Sequence, residues 1–365
     1  MDLNTLGWNQ GFRHSWIETI GSAAEPGDST SSAFVPARVA SESHGIYLVW
    51  SECGELTAEV SGRFRHGDSA LGGYPAVGDW VAVSPRPAEG KATIHAIIPR
   101  SNRFTRRDPW SAGGVQTLAA NIDTAFLVMG LDRDFNVRRL ERYLSLSWEA
   151  GTLPVILLNK ADLVADTAPY LSEVETVAFG VPTFGLSAEA GTGLEPLAAW
   201  LCPGSTVAFL GSSGVGKSTI INRLAGAAVQ KTSAVREDDQ RGRHTTTRRN
   251  LILLPSGAVL LDNPGLREVG LADAEEGVQK AFGDIEEIAK DCRFRDCAHH
   301  GEPGCAVRAA LIDGRLDQER LESWLHLKKE ARFQERRADP LLAMAERDRW
   351  KKIIKAHKKR QEPSR

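Results

Sequence analysis

The chain has 365 residues, of which 42% are hydrophobic and 25% charged, and its formal net charge is -2. That length supports two or three domains with their own cores, and the charge excludes a uniformly nucleic-acid-coating protein while leaving room for a local basic pole. No run of about 18 apolar residues could span a bilayer, and Met1 to Thr30 lacks the unbroken apolar core of a signal peptide, so a cytoplasmic location without membrane contact is expected.

Residues 21–33 are small and polar, and residues 1–33 read as a flexible N-terminal extension. Five short β-rich runs follow between Ala33 and Pro99, at 37–40, 45–50, 56–60, 79–83 and 92–98, punctuated by Gly and Pro. They predict a small barrel of the oligonucleotide-binding type (OB-fold) over 34–112. Arg63, Arg65, Arg100, Arg103, Arg106 and Arg107, interleaved with Phe64 and Phe104, offer charge and stacking surface for RNA; the competing reading is a solvated barrel rim.

After Gly113 and Gly114 the pattern changes. Apolar runs at 124–129, 153–158, 206–210, 250–254 and 258–262, the first two separated by a helical 137–150, predict an α/β sheet with buried strands over 113–272. Within it, the stretch Gly211, Ser212, Ser213, Gly214, Val215, Gly216, Lys217, Ser218 joins an apolar strand to a helix opening at Thr219. Such a loop curls backbone N–H groups around phosphates at a helix N-terminus, with Lys217 neutralising the β- and γ-phosphates and the Ser218 hydroxyl available to Mg2+.

The base is indicated by Asn159-Lys160-Ala161-Asp162 after the strand 153–158. The Asp162 carboxylate only accepts, so it matches the adjacent N1–H and N2–H donors of guanine and repels adenine. Asn159 can tie this loop to the phosphate loop, the Lys160 stem can cover the ring, and the Ala188 N–H of Ser187-Ala188 can meet the guanine O6. Asp262 ends the strand 258–262, where it can hold Mg2+ through water, and the Gly265 N–H can reach the γ-phosphate. Between these motifs, Gly242-Arg243-His244-Thr245-Thr246-Thr247 occupies the place of a first switch. Thr246, with Thr247 as alternative, is the expected Mg2+ ligand. Ras-like enzymes use a glutamine just after Asp-x-x-Gly, but Leu266 stands there, so His244 is the candidate for orienting the attacking water. A purely switch-stabilising or RNA-contacting His244 is the alternative.

The guanine tetrad precedes the phosphate loop, the reverse of the ordinary GTPase order. Tetrad, Ser-Ala, phosphate loop, Gly-Arg-His-Thr-Thr-Thr and Asp-x-Pro-Gly in that succession resemble the ribosome small-subunit-dependent GTPase A family (RsgA), circularly permuted GTPases. The resemblance implies GTP hydrolysis to GDP and phosphate, with the 30S subunit and its 16S rRNA as partners and the protein acting as a late assembly factor. It further implies release of the protein on subunit-stimulated hydrolysis, and a monomer is expected. Two departures are visible: Asn263 where such motifs commonly carry Thr or Ser, and extra residues ahead of the barrel.

Three of the five cysteines crowd into 292–305 beside His299 and His300. Three thiolates and an imidazole suit one tetrahedral, structural Zn2+. The family pattern Cys-x-His-x5-Cys selects Cys292, Cys297, His299 and Cys305. Helical stretches at 278–290 and 306–327 flank the cluster, predicting a mostly helical zinc-binding domain over 273–365. Its basic ending, Trp350 to Arg360, suits a phosphate backbone.

Overall fold

The computed structural model describes residues 1–23, 34–62, 64, 73–107, 115–226, 249–262 and 275–338. Its chain divides into two compact units, Met1–Thr105 with Thr117–Val269, and Arg106–Gln116 with Gly270–Arg365. His244, Thr246, Thr247, Gly265, Arg63, Arg65 and the basic ending 350–360 lie outside the described residues.

In the first unit, β1 (Val35–Ser43), β2 (Ile46–Ser51), β3 (Gly54–Val60), β4 (Trp80–Arg86) and β5 (Lys91–Ile97) pair in the order β1-β2-β3-β5-β4. β4 returns to β1, with Val35 opposite Val83 and Arg38 opposite Trp80, which closes the expected five-stranded barrel. The two-residue period of a strand is visible in β3, where Leu56, Ala58 and Val60 are buried and Glu55, Thr57 and Glu59 face water. The inward residues meet Val39, Val49, Val81 and Ile94 in one apolar core. β6 (Arg103–Arg107) and β7 (Val115–Ala120) form a separate two-stranded sheet.

β8 (Thr124–Gly130), β9 (Leu153–Asn159), β10 (Thr183–Gly185), β11 (Thr206–Leu210), β12 (Arg249–Leu253) and β13 (Val259–Asp262) follow. Their order is β10-β9-β8-β11-β13-β12. The first five are mutually parallel; β12 runs antiparallel to β13. Every residue of β8 and of β11 is buried, as strands covered on both faces must be. The helix Val137–Glu149 connects β8 to β9 and opens on Asn136, whose side chain accepts the Arg139 N–H at 2.9 Å. Edge strand β12 also pairs with β1, Ser41 opposite Asn250 and Glu42 opposite Arg249. Barrel and α/β sheet are therefore one continuous hydrogen-bonded surface of eleven strands.

The expected flexible extension over 1–33 does not hold for residues 1–23. A helix spans Gln10–Ala23, and Asn9 accepts the Phe12 N–H at 3.1 Å at its start. Leu3, Leu6, Trp8 and Phe12 are buried. Trp8 stands edge-on to Trp80 of the barrel at 4.7 Å, with Trp16 and Phe12 each 6.0 Å from Trp8. Large aromatic side chains at positions 8, 12 and 16 bury too much apolar area to be left in water. Beneath Trp80, the Arg38 guanidinium donates to the Leu6 carbonyl, to the Gly78 and Asn121 carbonyls at 3.4 and 3.1 Å, and to Thr206 Oγ1 at 2.8 Å. Burial pulls its pKa down to about 10, with Asp123 and Asp79 opposing.

Two residues of the expected RNA surface are internal. Arg100 is bonded through Nε and Nη2 to Asp79, both at 2.7 Å, and Asp79 is fully buried. Phe104 is 1% exposed. Burial raises the Asp79 pKa, and the paired Arg100 works against that rise. A charge pair so enclosed braces the barrel, and the same guanidinium also donates to Thr117 Oγ1 at 3.0 Å and to the Tyr74 carbonyl at 3.2 Å.

The second unit is mostly helical among the described residues, as expected, with helices Glu275–Ala281, Gly283–Lys290, Ala306–Ile312 and Gln318–Ala338. The last buries Leu321, Trp324, Leu327 and Ala331 along one stripe at helical spacing. Arg320 of that helix lies 5.0 Å over the Phe282 ring and bonds Asp284 at 2.9 and 2.7 Å, while Trp324 Nε1 donates to Glu286 at 3.0 Å. No helix of the described residues is long and apolar enough to cross a membrane.

Candidate nucleotide site and metal centre

β11 delivers the phosphate loop to the helix Lys217–Ala225. The loop bends sharply where glycine is required. Gly216 has φ +95°, and a Cβ there would lie 2.1 Å from Asn159 Nδ2; at Gly211 a Cβ would lie 2.5 Å from the Val128 carbonyl oxygen. Buried Lys217 folds back into the loop, donating to the Gly211 carbonyl at 2.7 Å and to that of Ser212. The ammonium is thus held within the curl of backbone formed by residues 211–216.

β9 ends in Asn159, and parallel neighbours β8 and β11 place it beside the loop. Its side-chain amide is buried and used from both sides: Nδ2 donates to the Val215 carbonyl at 2.8 Å, and Oδ1 accepts the Ala188 N–H at 2.9 Å. One side chain therefore joins the tetrad, the phosphate loop and the Ser187-Ala188 loop. The Ala188 N–H, expected on the guanine O6, here has Asn159 as its acceptor. Lys160 has a left-handed backbone, φ 66°, and its ammonium bonds Asp132 at 2.6 Å. Burial raises the Asp132 pKa, but the Lys160 bond and the Asp134 N–H outweigh it and the net shift is downward. Ala161 N–H donates to the Leu186 carbonyl at 3.0 Å, which sets the short turn Ala161–Leu163 and leaves the Asp162 carboxylate exposed. Asp262 closes β13 opposite Asn250, and Ser218 lies in the first turn of the phosphate-loop helix.

Three neighbours escaped sequence reading. Arg139, on the helix after β8, donates to Ser212 Oγ in the phosphate loop and to Asp134. Arg223 donates to the carbonyls of Ala188 and Glu189 at 3.1 and 2.7 Å. Asp132 anchors Lys160. Only the close approach of separate strand ends brings them to the site; an arginine within a helical pattern carries no local sign of it.

In the second unit, one donor atom from each of Cys292, Cys297, His299 and Cys305 lies within 4.8 Å of every other. His299, rather than His300, completes this set. Its Nδ1 is 3.7 Å from the Cys292 sulfur and 3.5 Å from that of Cys305. Burial, followed by nearby Lys328, lowers the His299 pKa and favours the neutral imidazole, the form able to ligate a metal. Its ring stands 5.3 Å from that of Trp324. Glu302 shapes the intervening loop by accepting the N–H groups of Ala298, His300 and Gly301 at 3.0, 2.9 and 3.1 Å. Backbone N–H groups stabilise its charged form, taking its pKa down to about 2.

The family model described as RsgA GTPase matches residues 97–272. The small ribosomal subunit biogenesis GTPase RsgA of Opitutus terrae is 47% identical, covering 99% of this chain and 98% of that protein. RsgA 1 of Listeria innocua is 46% identical, covering 87% of this chain and 90% of that protein. The crystal structure of YjeQ from Thermotoga maritima superposes with a TM-score of 0.61 at 25% identity, covering 82% of this chain and 98% of that one. YloQ, described as a circularly permuted GTPase, shares the fold with a TM-score of 0.59 at 24% identity. A phosphate loop and a guanine tetrad joined through Asn159, in permuted order and between a barrel and a Cys3His module, thus occur in a chain that belongs to the RsgA GTPase family and is a GTPase.

Proposed function

We propose that this GTPase acts in late maturation of the 30S ribosomal subunit, binding 16S rRNA and leaving when the subunit stimulates GTP hydrolysis. The observation that carries the reading is the Asn159 amide, which unites phosphate-binding and base-reading loops into one guanine-nucleotide site. Asp162 reads the base, Lys217 and the N–H groups of residues 211–219 hold the phosphates, and Ser218, Thr246 and Asp262 supply the Mg2+ site. A bound Mg2+ neutralises charge developing on the phosphates. His244 orients the attacking water, and Gly265 senses the γ-phosphate. The names of the relatives support the assembly role.

The test is GTP turnover titrated with isolated 30S subunits. Turnover should rise at least tenfold, and His244→Ala should keep GTP affinity while losing that rise. Turnover indifferent to 30S, with equal 30S affinity in the GTP and GDP states, would sink the switch reading in favour of an RNA-binding scaffold with incidental turnover.

The thiolate-rich Cys3His set fits Zn2+, whose binding supplies folding energy and no open coordination position. Glu302→Ala should speed loss of zinc to a chelator by about tenfold, because the loop between Cys297 and Cys305 loses its common acceptor. Release at the parent rate would show that the loop is organised without Glu302. The protein is expected to work as a cytoplasmic monomer.

A further inference from the structure

We propose that Arg223 is a positioning residue for guanine recognition, clamping the base-reading loop from the helix that begins at the phosphate loop. Arg223 lies in the last turn of Lys217–Ala225. Its Nε donates to the Ala188 carbonyl at 3.1 Å and its Nη2 to the Glu189 carbonyl at 2.7 Å. From the opposite side, Asn159 Oδ1 accepts the Ala188 N–H at 2.9 Å. Both peptide groups flanking Ala188 are therefore held, one by the guanine tetrad and one by the phosphate-loop helix. Ser187 adds a local brace by accepting the Ala190 N–H on its hydroxyl at 3.0 Å.

The consequence is chemical. The Ala188 N–H donates to Asn159, the first residue of the base-reading tetrad, and Arg223 fixes the two peptides that follow it, so the loop keeps Asn159 in place against the base only while both sides of Ala188 are held. A planar guanidinium with two divergent donors can fix two successive carbonyls at once; an ammonium cannot reproduce that fork. Arg223 donates to the carbonyls of Ala188 and Glu189 and acts through that loop, so its removal should alter base affinity rather than the chemical step. This rests on the guanine-site reading above.

Full-length Arg223→Met, Arg223→Lys and Asp162→Asn are compared with the parent for equilibrium GTP and GDP affinity, competition by ATP, and kcat at saturating GTP. Arg223→Met should weaken GTP and GDP binding about tenfold, the scale of two charge-assisted hydrogen bonds from an exposed arginine. ATP competition and kcat should stay within about twofold of the parent. Arg223→Lys should recover part of the lost affinity. Unchanged GTP affinity in Arg223→Met, equal weakening of GTP and ATP, or a loss confined to kcat each overturns the proposal. Asp162→Asn separates the two levels. If it reduces GTP over ATP discrimination and Arg223→Met does not, only the role of Arg223 falls; if neither does, the guanine-site reading falls with it.

Discussion

Gly216→Ala is expected to lower GTP and GDP affinity by at least about 100-fold while leaving the fold intact. The added Cβ would lie 2.1 Å from Asn159 Nδ2, and the φ of +95° is one that L side chains rarely adopt. The backbone term alone is about 1–2 kcal/mol. To relieve the clash Asn159 must withdraw, surrendering its bonds to Val215 and Ala188, each worth about 1 kcal/mol. Together these approach 3–4 kcal/mol, and every 1.4 kcal/mol is about a factor of ten in affinity. Titration with a fluorescent guanine nucleotide reads the effect directly, with circular dichroism confirming the fold. The two positions should also be coupled: in an Asn159→Ala background Gly216→Ala should cost much less, since the clashing amide is gone. Affinity within threefold of the parent, or strictly additive losses, would refute the link between loop and tetrad.

Arg38→Met should destabilise the first unit by about 3–5 kcal/mol, the usual result of breaking a buried charged network. Its guanidinium serves acceptors on Leu6, Gly78, Asn121 and Thr206. Methionine fills much of the volume but leaves those oxygens without their donor. For a unit of this size the midpoint of thermal unfolding should drop by about 10 °C, measurable by calorimetry. Arg38→Lys should recover only part, because one ammonium cannot reach acceptors fanned across the guanidinium plane. A midpoint within 2 °C of the parent would mean that water replaces the arginine at little cost, and that the N-terminal segment is held by its buried apolar side chains Leu3, Leu6, Trp8 and Phe12 without it.

Polar residues at 21–33 resemble a linker, but the residues ahead of them fold, with Leu3, Leu6, Trp8 and Phe12 buried. The available signal was the aromatic spacing at 8, 12 and 16 after Asn9, a helix start with one apolar face. It was weak because the surface that receives those rings, around Trp80, is 64 residues or more away in the chain. Arg100 erred in the opposite direction. A run of arginines near a barrel suggests RNA, yet the partner that claims Arg100 is Asp79, 21 positions earlier and fully buried. Charge is legible in sequence; whether a charge is already paired is not.

By itself the sequence determined the chemistry that depends on neighbours in the chain. The glycines and lysine of the phosphate loop, the candidate acceptor Asp162, the three clustered cysteines and the permuted order are legible as local spacing, the choice of His299 over His300 came from the family resemblance, and buried strands announced themselves as apolar runs. Only the tertiary structure decided which distant groups share a site: Asn159 bridging Val215 and Ala188, Arg223 gripping the base-reading loop, β12 extending the barrel's β1, and Arg38 bonding Thr206 across 168 residues. The physical reason is that such contacts exist only once parallel strand ends and barrel closure bring remote segments within about 3 Å, and no periodicity in the chain encodes that distance.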